Sequence, residues 1–183
     1  FKEYSYQNFI FFVHTDAIIQ KTKENLLNVL SSKYLFQQPL EIDGERIVIE
    51  AVDAFPRQPS KNTIYLKLST IHKIHDELNS YKENSVTYED LEEIPLVLLG
   101  DEAHHFNAET KAKGKSKTSP EAEELTWERT IDNILALQPK NRLFEFTATI
   151  NLDDKAIYQK YKDKIIYQYD LKKFMTDGFS KKV

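Results

Sequence analysis

Apolar positions along the chain recur with two periods, one typical of strands and the other of helices. Continuous apolar, β-branched or alternating runs predict strands at residues 9–13, 46–52, 62–69, 96–100, 142–146 and 164–169. Stripes with helical spacing predict helices at residues 17–30, 71–78, 127–137, 153–162 and from 171 onward. Because strands and helices alternate, we expect parallel strands joined by right-handed crossovers. The predicted fold class is therefore α/β, a three-layer α/β/α sandwich with a mainly parallel sheet.

The segments between these elements differ in character. Asp43-Gly44 is a turn dipeptide, so the following strand at 46–52 is interpreted as one arm of a hairpin. Residues 80–93 are polar and acidic and predict a solvated connection. Residues 108–126 contain several lysines, one glycine and one proline and have very little apolar content, so we expect a mobile loop there. We expect a single domain over residues 1–183.

Composition narrows the class of protein. The 183 residues are 40% hydrophobic, enough for one sizeable core, and the net charge of −4 gives no overall attraction for nucleic acid, so any such contact must be local. The chain has no cysteine, no N-terminal signal and no apolar run long enough to span a bilayer, which predicts a cytoplasmic protein with no membrane partner. Since it starts at Phe1 rather than Met, close to a strand, we interpret it as a piece of a longer protein.

An acidic cluster directly follows the buried strand at 96–100. The segment reads P-L-V-L-L-G-D-E-A-H-H-F-N from Pro95 to Asn107, with Asp101 and Glu102 at the strand end. Open parallel sheets present their chemistry at this end of their strands. Asp101 is predicted to hold Mg²⁺, through water, and Glu102 to orient or deprotonate an attacking water, as nucleotide hydrolysis requires. The competing structural interpretation is that the acids are only the polar end of a strand.

Two other groups of polar residues resemble known binding motifs. The four side chains Asp101, Glu102, His104 and His105 could bind zinc, but zincins space their histidines at i and i+4, whereas these are adjacent. Gly114-Lys115-Ser116 resembles the end of a phosphate-binding P-loop, yet Glu109 stands where the first glycine belongs and no strand precedes it. With four glycines in all, the chain contains no phosphate-cradling loop.

Several stretches, taken in order, resemble one family of motor proteins. They are F-F-V-H-T-D-A-I at 11–18, L-S-T-I-H-K-I at 68–74, D-E-A-H-H-F-N at 101–107, F-E-F-T-A-T-I at 144–150 and Y-D-L-K-K-F-M-T-D-G-F-S-K at 169–181. Together they resemble the first motor domain of DEAH-box superfamily 2 helicases and translocases, most closely the Res subunits of type III restriction-modification enzymes. The resemblance implies a RecA-like fold of the P-loop NTPase type, truncated at its N-terminus.

This resemblance also implies roles for individual residues. Asp101, Glu102 and His104 would form the ATP-hydrolysis motif, with His104 relaying the state of the nucleotide to the coupling segment Thr147, Ala148 and Thr149. The DNA-backbone contacts that the resemblance implies are His14, Thr15, Ser69 and Thr70. Hydroxyl groups suit phosphate contacts, although helix capping explains the same residues about equally well.

The implied parent protein uses ATP and Mg²⁺, acts on double-stranded DNA and pairs with a methylating subunit. This chain departs from the family because it lacks the Walker A loop, the second motor domain and a nuclease domain. We therefore expect no cofactor to be bound tightly by the chain alone, and no activity from it, whereas the parent hydrolyses ATP. The alternatives are a non-catalytic interaction domain of the same fold and, less favoured, a metal-dependent hydrolase.

Overall fold

Five parallel strands form the main sheet of the computed structural model, which describes residues 3–36, 38–80, 85–106 and 120–179. The strands are β1 (Asn8–Val13), β4 (Val48–Ala51), β5 (Thr63–Thr70), β6 (Leu96–Asp101) and β7 (Arg142–Phe146). Their spatial order is β4-β5-β1-β6-β7, and every ladder between neighbours is parallel. A small antiparallel pair, β2 (Glu41–Ile42) and β3 (Glu45–Arg46), lies outside this sheet. The predicted α/β fold class is confirmed.

Helices flank the sheet. They are α1 (Asp16–Leu27), α2 (Ile71–Asn79), α3 (Tyr88–Glu92), the short 3₁₀ turn η1 (Ala103–Phe106), α4 (Pro120–Ala136), α5 (Lys155–Tyr161) and α6 (Leu171–Thr176). The main core joins Ile10 and Phe12 of β1 and Leu98 of β6 to Ile74 of α2 and Ile134 of α4, all at most 2% exposed. Helix α1 packs on β1, β4 and β5, and its buried Ile19 is not part of that cluster. Among the described helices, none is long and apolar enough to cross a bilayer.

The predicted hairpin is confirmed, but its second strand is split. Asp43 and Gly44 both have positive φ, 52° and 76°, the backbone of a tight hairpin turn between β2 and β3. The run predicted as one strand at 46–52 is divided at Ile47, which is only 3% exposed. Its first part pairs in the hairpin and its second part, β4, joins the main sheet beside β5.

Three predictions of local structure were wrong. Residues 80–93 are not simply a solvated connection, because a capping box between Thr87 and Asp90 starts helix α3, whose Leu91 is buried in the core. The predicted loop at 108–126 ends early, since α4 begins at Pro120, a residue favoured in the first helical turn. The rest of that loop prediction, 108–119, lies outside the described residues.

The third wrong prediction is the strand at 164–169. The chain forms two compact units, Phe1–Thr149 and Ile150–Val183, and this segment belongs to the second. It has no ladder partner in the described part of the chain, and Ile166 is 85% exposed. Its aromatic rings contact one another instead: Tyr167 stacks on Tyr169, and Tyr169 meets Phe174 of α6 edge-on.

Candidate functional site

The carboxyl ends of four neighbouring strands meet at one edge of the main sheet. Parallel pairing places Val13 beside Thr70, Phe12 beside Gly100, and Asp101 beside Phe146. The residues predicted to carry chemistry lie at or just after these strand ends: His14, Thr15, Ser69, Thr70, Asp101, Glu102, His104, Thr147, Ala148 and Thr149. One sheet edge therefore carries both the acidic cluster and the residues predicted to contact DNA.

The backbone turns sharply between the two acids. Asp101 is the last residue of β6, and Glu102 has a φ of 55°, a left-handed conformation that is unfavourable for a residue with a Cβ. The amide of Glu102 donates a hydrogen bond of 2.9 Å to the Asp101 carboxylate Oδ1, which stabilises the turn. Backbone strain of this kind concentrates at functional sites. The left-handed turn thus falls between the two acids that are predicted to carry the chemistry.

His104 connects the acidic cluster to the segment after β7. Its Nδ1 atom lies 3.0 Å from the Thr147 hydroxyl oxygen and 3.3 Å from a Glu102 carboxylate oxygen. The Thr147 hydroxyl also accepts a hydrogen bond of 3.2 Å from the Thr149 amide. In the tautomer that carries its hydrogen on Nδ1, this atom can donate to either of the two oxygens.

The candidate site combines exposed polar side chains with a buried residue that packs in the core. The side chains of Glu102 and His104 are 40% and 32% exposed, so a substrate in solution can reach them. Ala103 between them is 2% exposed and belongs to the main core cluster. Its small size lets the turn lie directly on the core.

A buried amide side chain holds β6 at its opposite end. Asn141, 6% exposed, accepts a hydrogen bond of 2.9 Å from the Leu96 amide and donates one of 2.8 Å to the Ile134 carbonyl. It thereby joins the first residue of β6 to the last turn of α4. Sequence reasoning missed this residue, because a lone asparagine before a strand looks like part of a turn.

The four residues predicted to contact DNA differ in availability. Thr70 is 4% exposed, and its hydroxyl accepts a hydrogen bond of 3.4 Å from the Lys73 amide, so it acts as the N-cap of α2. Thr15 is the N-cap residue of α1 but makes no side-chain capping bond, and it is exposed. Ser69 and His14 are half-buried. Thr15 is thus better placed than Thr70 for a contact with another molecule.

Two groupings at this edge were not foreseen. The rings of His14, His72 and Trp127 form a cluster, with His72 at centroid distances of 4.9 Å from His14 and 4.1 Å from Trp127, and with 5.8 Å between His14 and Trp127. Lys73 and Asp16, from the first turns of α2 and α1, form an ion pair with a nitrogen-to-oxygen distance of 2.6 Å. Only the fold reveals these contacts, since the paired residues are separated by more than fifty positions in the sequence.

The chemistry of the donors suits Mg²⁺ better than zinc. Mg²⁺ in nucleotide sites is held by one or two carboxylates, with phosphate oxygens and water completing its shell, and Asp101 at the strand end fits that pattern. Within the described residues, no three side chains of His, Cys, Asp or Glu are grouped as metal ligands, and the His105 side chain is outside that set. The zinc alternative has no structural support there.

Comparison with known proteins agrees with the family that the sequence resembles. The family described as "Type III restriction enzyme, res subunit" matches residues 1–152. The chain is 33% identical, over 197 aligned positions, to the probable type III restriction-modification enzyme HindVIP Res subunit of Haemophilus influenzae. The alignment covers 99% of this chain and 38% of that protein, so the chain spans well under half the length of this relative. No solved structure matches the chain.

Proposed function

Because the chain belongs to the family of type III restriction enzyme Res subunits, we propose that it is part of the motor that hydrolyses ATP and moves along double-stranded DNA. The observation that carries this proposal is the position of His104 between Glu102 and Thr147. A single imidazole nitrogen contacts both the predicted water-orienting carboxylate and the predicted coupling hydroxyl. A change at the nucleotide can therefore alter the segment after β7 through one side chain.

Each residue of the proposed site has a defined role. Asp101 would hold Mg²⁺ through water, and the ion would neutralise charge that develops on the phosphates. Glu102 would orient the attacking water and accept its proton, which suits a carboxylate that is exposed at the strand end. His104 would keep Glu102 oriented and pass its position to Thr147. Ala148 and Thr149 follow Thr147 and form the rest of the coupling segment.

The phosphate-binding loop of this motor is proposed to come from outside these 183 residues, because their sequence contains no complete G-x-x-x-x-G-K-[ST] pattern. The outermost strand of the sheet, β7, is consistent with such an addition. Strand β7 pairs only with β6 in the described part of the chain, and its Phe144 and Phe146 are 41% and 54% exposed. A further parallel strand paired with β7 would use its free backbone edge and bring its own carboxyl end to the side of the sheet that carries Asp101, and a segment that connects to this strand across the face of the sheet would cover these rings.

The proposed macromolecular partners follow from the family. We propose that DNA contacts the carboxyl ends of β1 and β5 through its backbone, using Thr15, Ser69 and His14, with Thr70 shaping the α2 end of this surface. The relative's name describes a restriction-modification enzyme. A methylating subunit is therefore the proposed protein partner of the longer protein.

Removal of the Thr147 hydroxyl tests the proposed coupling. In a full-length Res subunit that contains these residues, Thr147→Val keeps the side-chain shape but loses the hydrogen bond to His104. A lost hydrogen bond of this kind corresponds to a decrease of about two- to ten-fold, expected in DNA-stimulated ATP turnover with nucleotide affinity unchanged. Thr147→Ser retains the hydroxyl and is the matched control. Equal, undiminished turnover of both variants would contradict the proposed role of the His104–Thr147 contact.

A further inference from the structure

An exposed ion pair joins the first turns of α1 and α2, beside the strand ends that are proposed to contact DNA. Lys73 lies in the first turn of α2, just after Ser69 and Thr70, and Asp16 is the first residue of α1, just after His14 and Thr15. The Lys73 amino nitrogen is 2.6 Å from the Asp16 carboxylate oxygen. Since β1 and β5 are adjacent and parallel, this is a contact between the starts of two helices at one sheet edge.

Folding gives little reason for a cation at this position. The side chains of Lys73 and Asp16 are 62% and 64% exposed, and ion pairs this exposed add only a small net stabilisation. Asp16 is well placed at a helix start, but Lys73 is not, because the first turn of a helix carries partial positive charge. The first turn of α2 also contains no acidic residue of its own. An external anion would suit this lysine better than its own helix does.

We propose that Lys73 is a further contact to the DNA phosphate backbone and that Asp16 is its internal counterion, which DNA displaces. This inference rests on the proposed function. The exchange is physically simple, because a phosphate oxygen replaces a carboxylate oxygen at the same amino group without burial of any charge. Asp16 then weakens DNA binding, both because it must be displaced and because it repels the phosphate. The two partners of one ion pair should consequently have opposite effects on affinity.

The test measures how salt affects binding of the 183-residue chain to a fluorescein-labelled 20-base-pair duplex, by fluorescence anisotropy. Each phosphate contact contributes about −0.9 to the slope of log K against log salt, so Lys73→Gln should make the slope shallower by about one unit. Asp16→Asn should raise affinity by up to about five-fold, the equivalent of one surface ion pair. In the double variant, the gain from Asp16→Asn should be smaller than in the single variant, because the displacement of Asp16 acts through Lys73 and only its direct repulsion of the phosphate remains.

Two variants at the opposite edge of the sheet control for net charge. Lys61 precedes β5 and Glu92 precedes β6, and both are exposed. Lys61→Gln and Glu92→Gln therefore make the same charge changes away from the proposed contact, and circular dichroism checks that every variant folds. The inference alone is overturned if the chain binds DNA but Lys73→Gln has the same slope as Lys61→Gln. The unaltered chain is also tested at 50 mM salt, a chosen low-salt condition with a screening length of about 14 Å. If it does not bind duplex DNA there, the proposed DNA contact is overturned, and this inference with it.

Discussion

Replacement of Asn141 by Ala should strongly destabilise the unit that carries the candidate site. The substitution leaves the Leu96 amide and the Ile134 carbonyl without their side-chain partner, and both residues are 0% exposed. The Ile134 carbonyl keeps a hydrogen bond of 3.3 Å from the Leu137 amide, so the cost comes mainly from the Leu96 amide. A buried polar group without a hydrogen bond costs about 1–3 kcal/mol. Typical domains are stable by about 5–15 kcal/mol, so this loss is a large share of the total.

Urea unfolding followed by tryptophan fluorescence measures this loss directly. Trp127 is the only tryptophan of the chain and lies on α4 in the same unit as Asn141, so its emission reports on that unit. Asn133→Ala is the matched control, because Asn133 is exposed on α4, the helix that carries Trp127. Its replacement should change stability by less than about 0.5 kcal/mol. If Asn141→Ala lowered stability no more than this control, the two buried hydrogen bonds would not have the importance assigned to them.

Three further predictions concern strain, packing and ionisation. Glu102→Gly should stabilise the unit by about 1 kcal/mol in urea unfolding, because glycine accepts the φ of 55° without strain. Glu102→Gln is the control and should not stabilise the unit. Equal unfolding midpoints for the two variants would argue against strain at this turn. Phe12→Ala should destabilise it by about 3–5 kcal/mol, since the ring is 1% exposed in the core, and a loss below about 1 kcal/mol would show that the core refills the cavity. The hydrogen bond from Tyr169 to Asp177 raises the pKa of Tyr169 above its ordinary value of 10.0. The stabilisation that this hydrogen bond gives to the folded state is therefore present below pH 10, and it is lost as the pH rises through the higher, folded-state pKa. NMR titration of the Tyr169 ring should show that Asp177→Asn moves this pKa back towards 10.0, and an unchanged pKa would mean that the hydrogen bond is not its cause.

The sequence was most informative where local pattern and burial agree. The apolar run at 96–100 and the acids after it identify β6 and the strand-end site, because a strand buried on both faces has few alternatives. Prediction failed where a distant contact decides the structure. Helix α3 is five residues long and is stabilised by one buried leucine and a capping box, which a polar composition hides. The segment 164–169 has the composition of a strand, but a strand needs a ladder partner that composition cannot supply.

The same distinction applies to the candidate site. Asp101, Glu102 and His104 are contiguous, so their motif can be identified without a structure. The contact of His104 with Thr147 and the ion pair of Lys73 with Asp16 span 43 and 57 positions, and they depend on the order of strands in the sheet. The left-handed backbone of Glu102 also had no sequence indication, because left-handed residues are usually glycine or asparagine.

The proposal that these acids hydrolyse a nucleotide is tested most directly by Glu102→Gln in a full-length Res subunit that contains this chain. The amide keeps the shape of the carboxylate but cannot accept the proton of the attacking water. ATP turnover in the presence of DNA should fall by about 10²- to 10⁴-fold, while the affinity for Mg²⁺-ATP remains within a few-fold of the unaltered protein. Turnover that persists, or turnover and affinity that fall together, would contradict the role of Glu102 in hydrolysis.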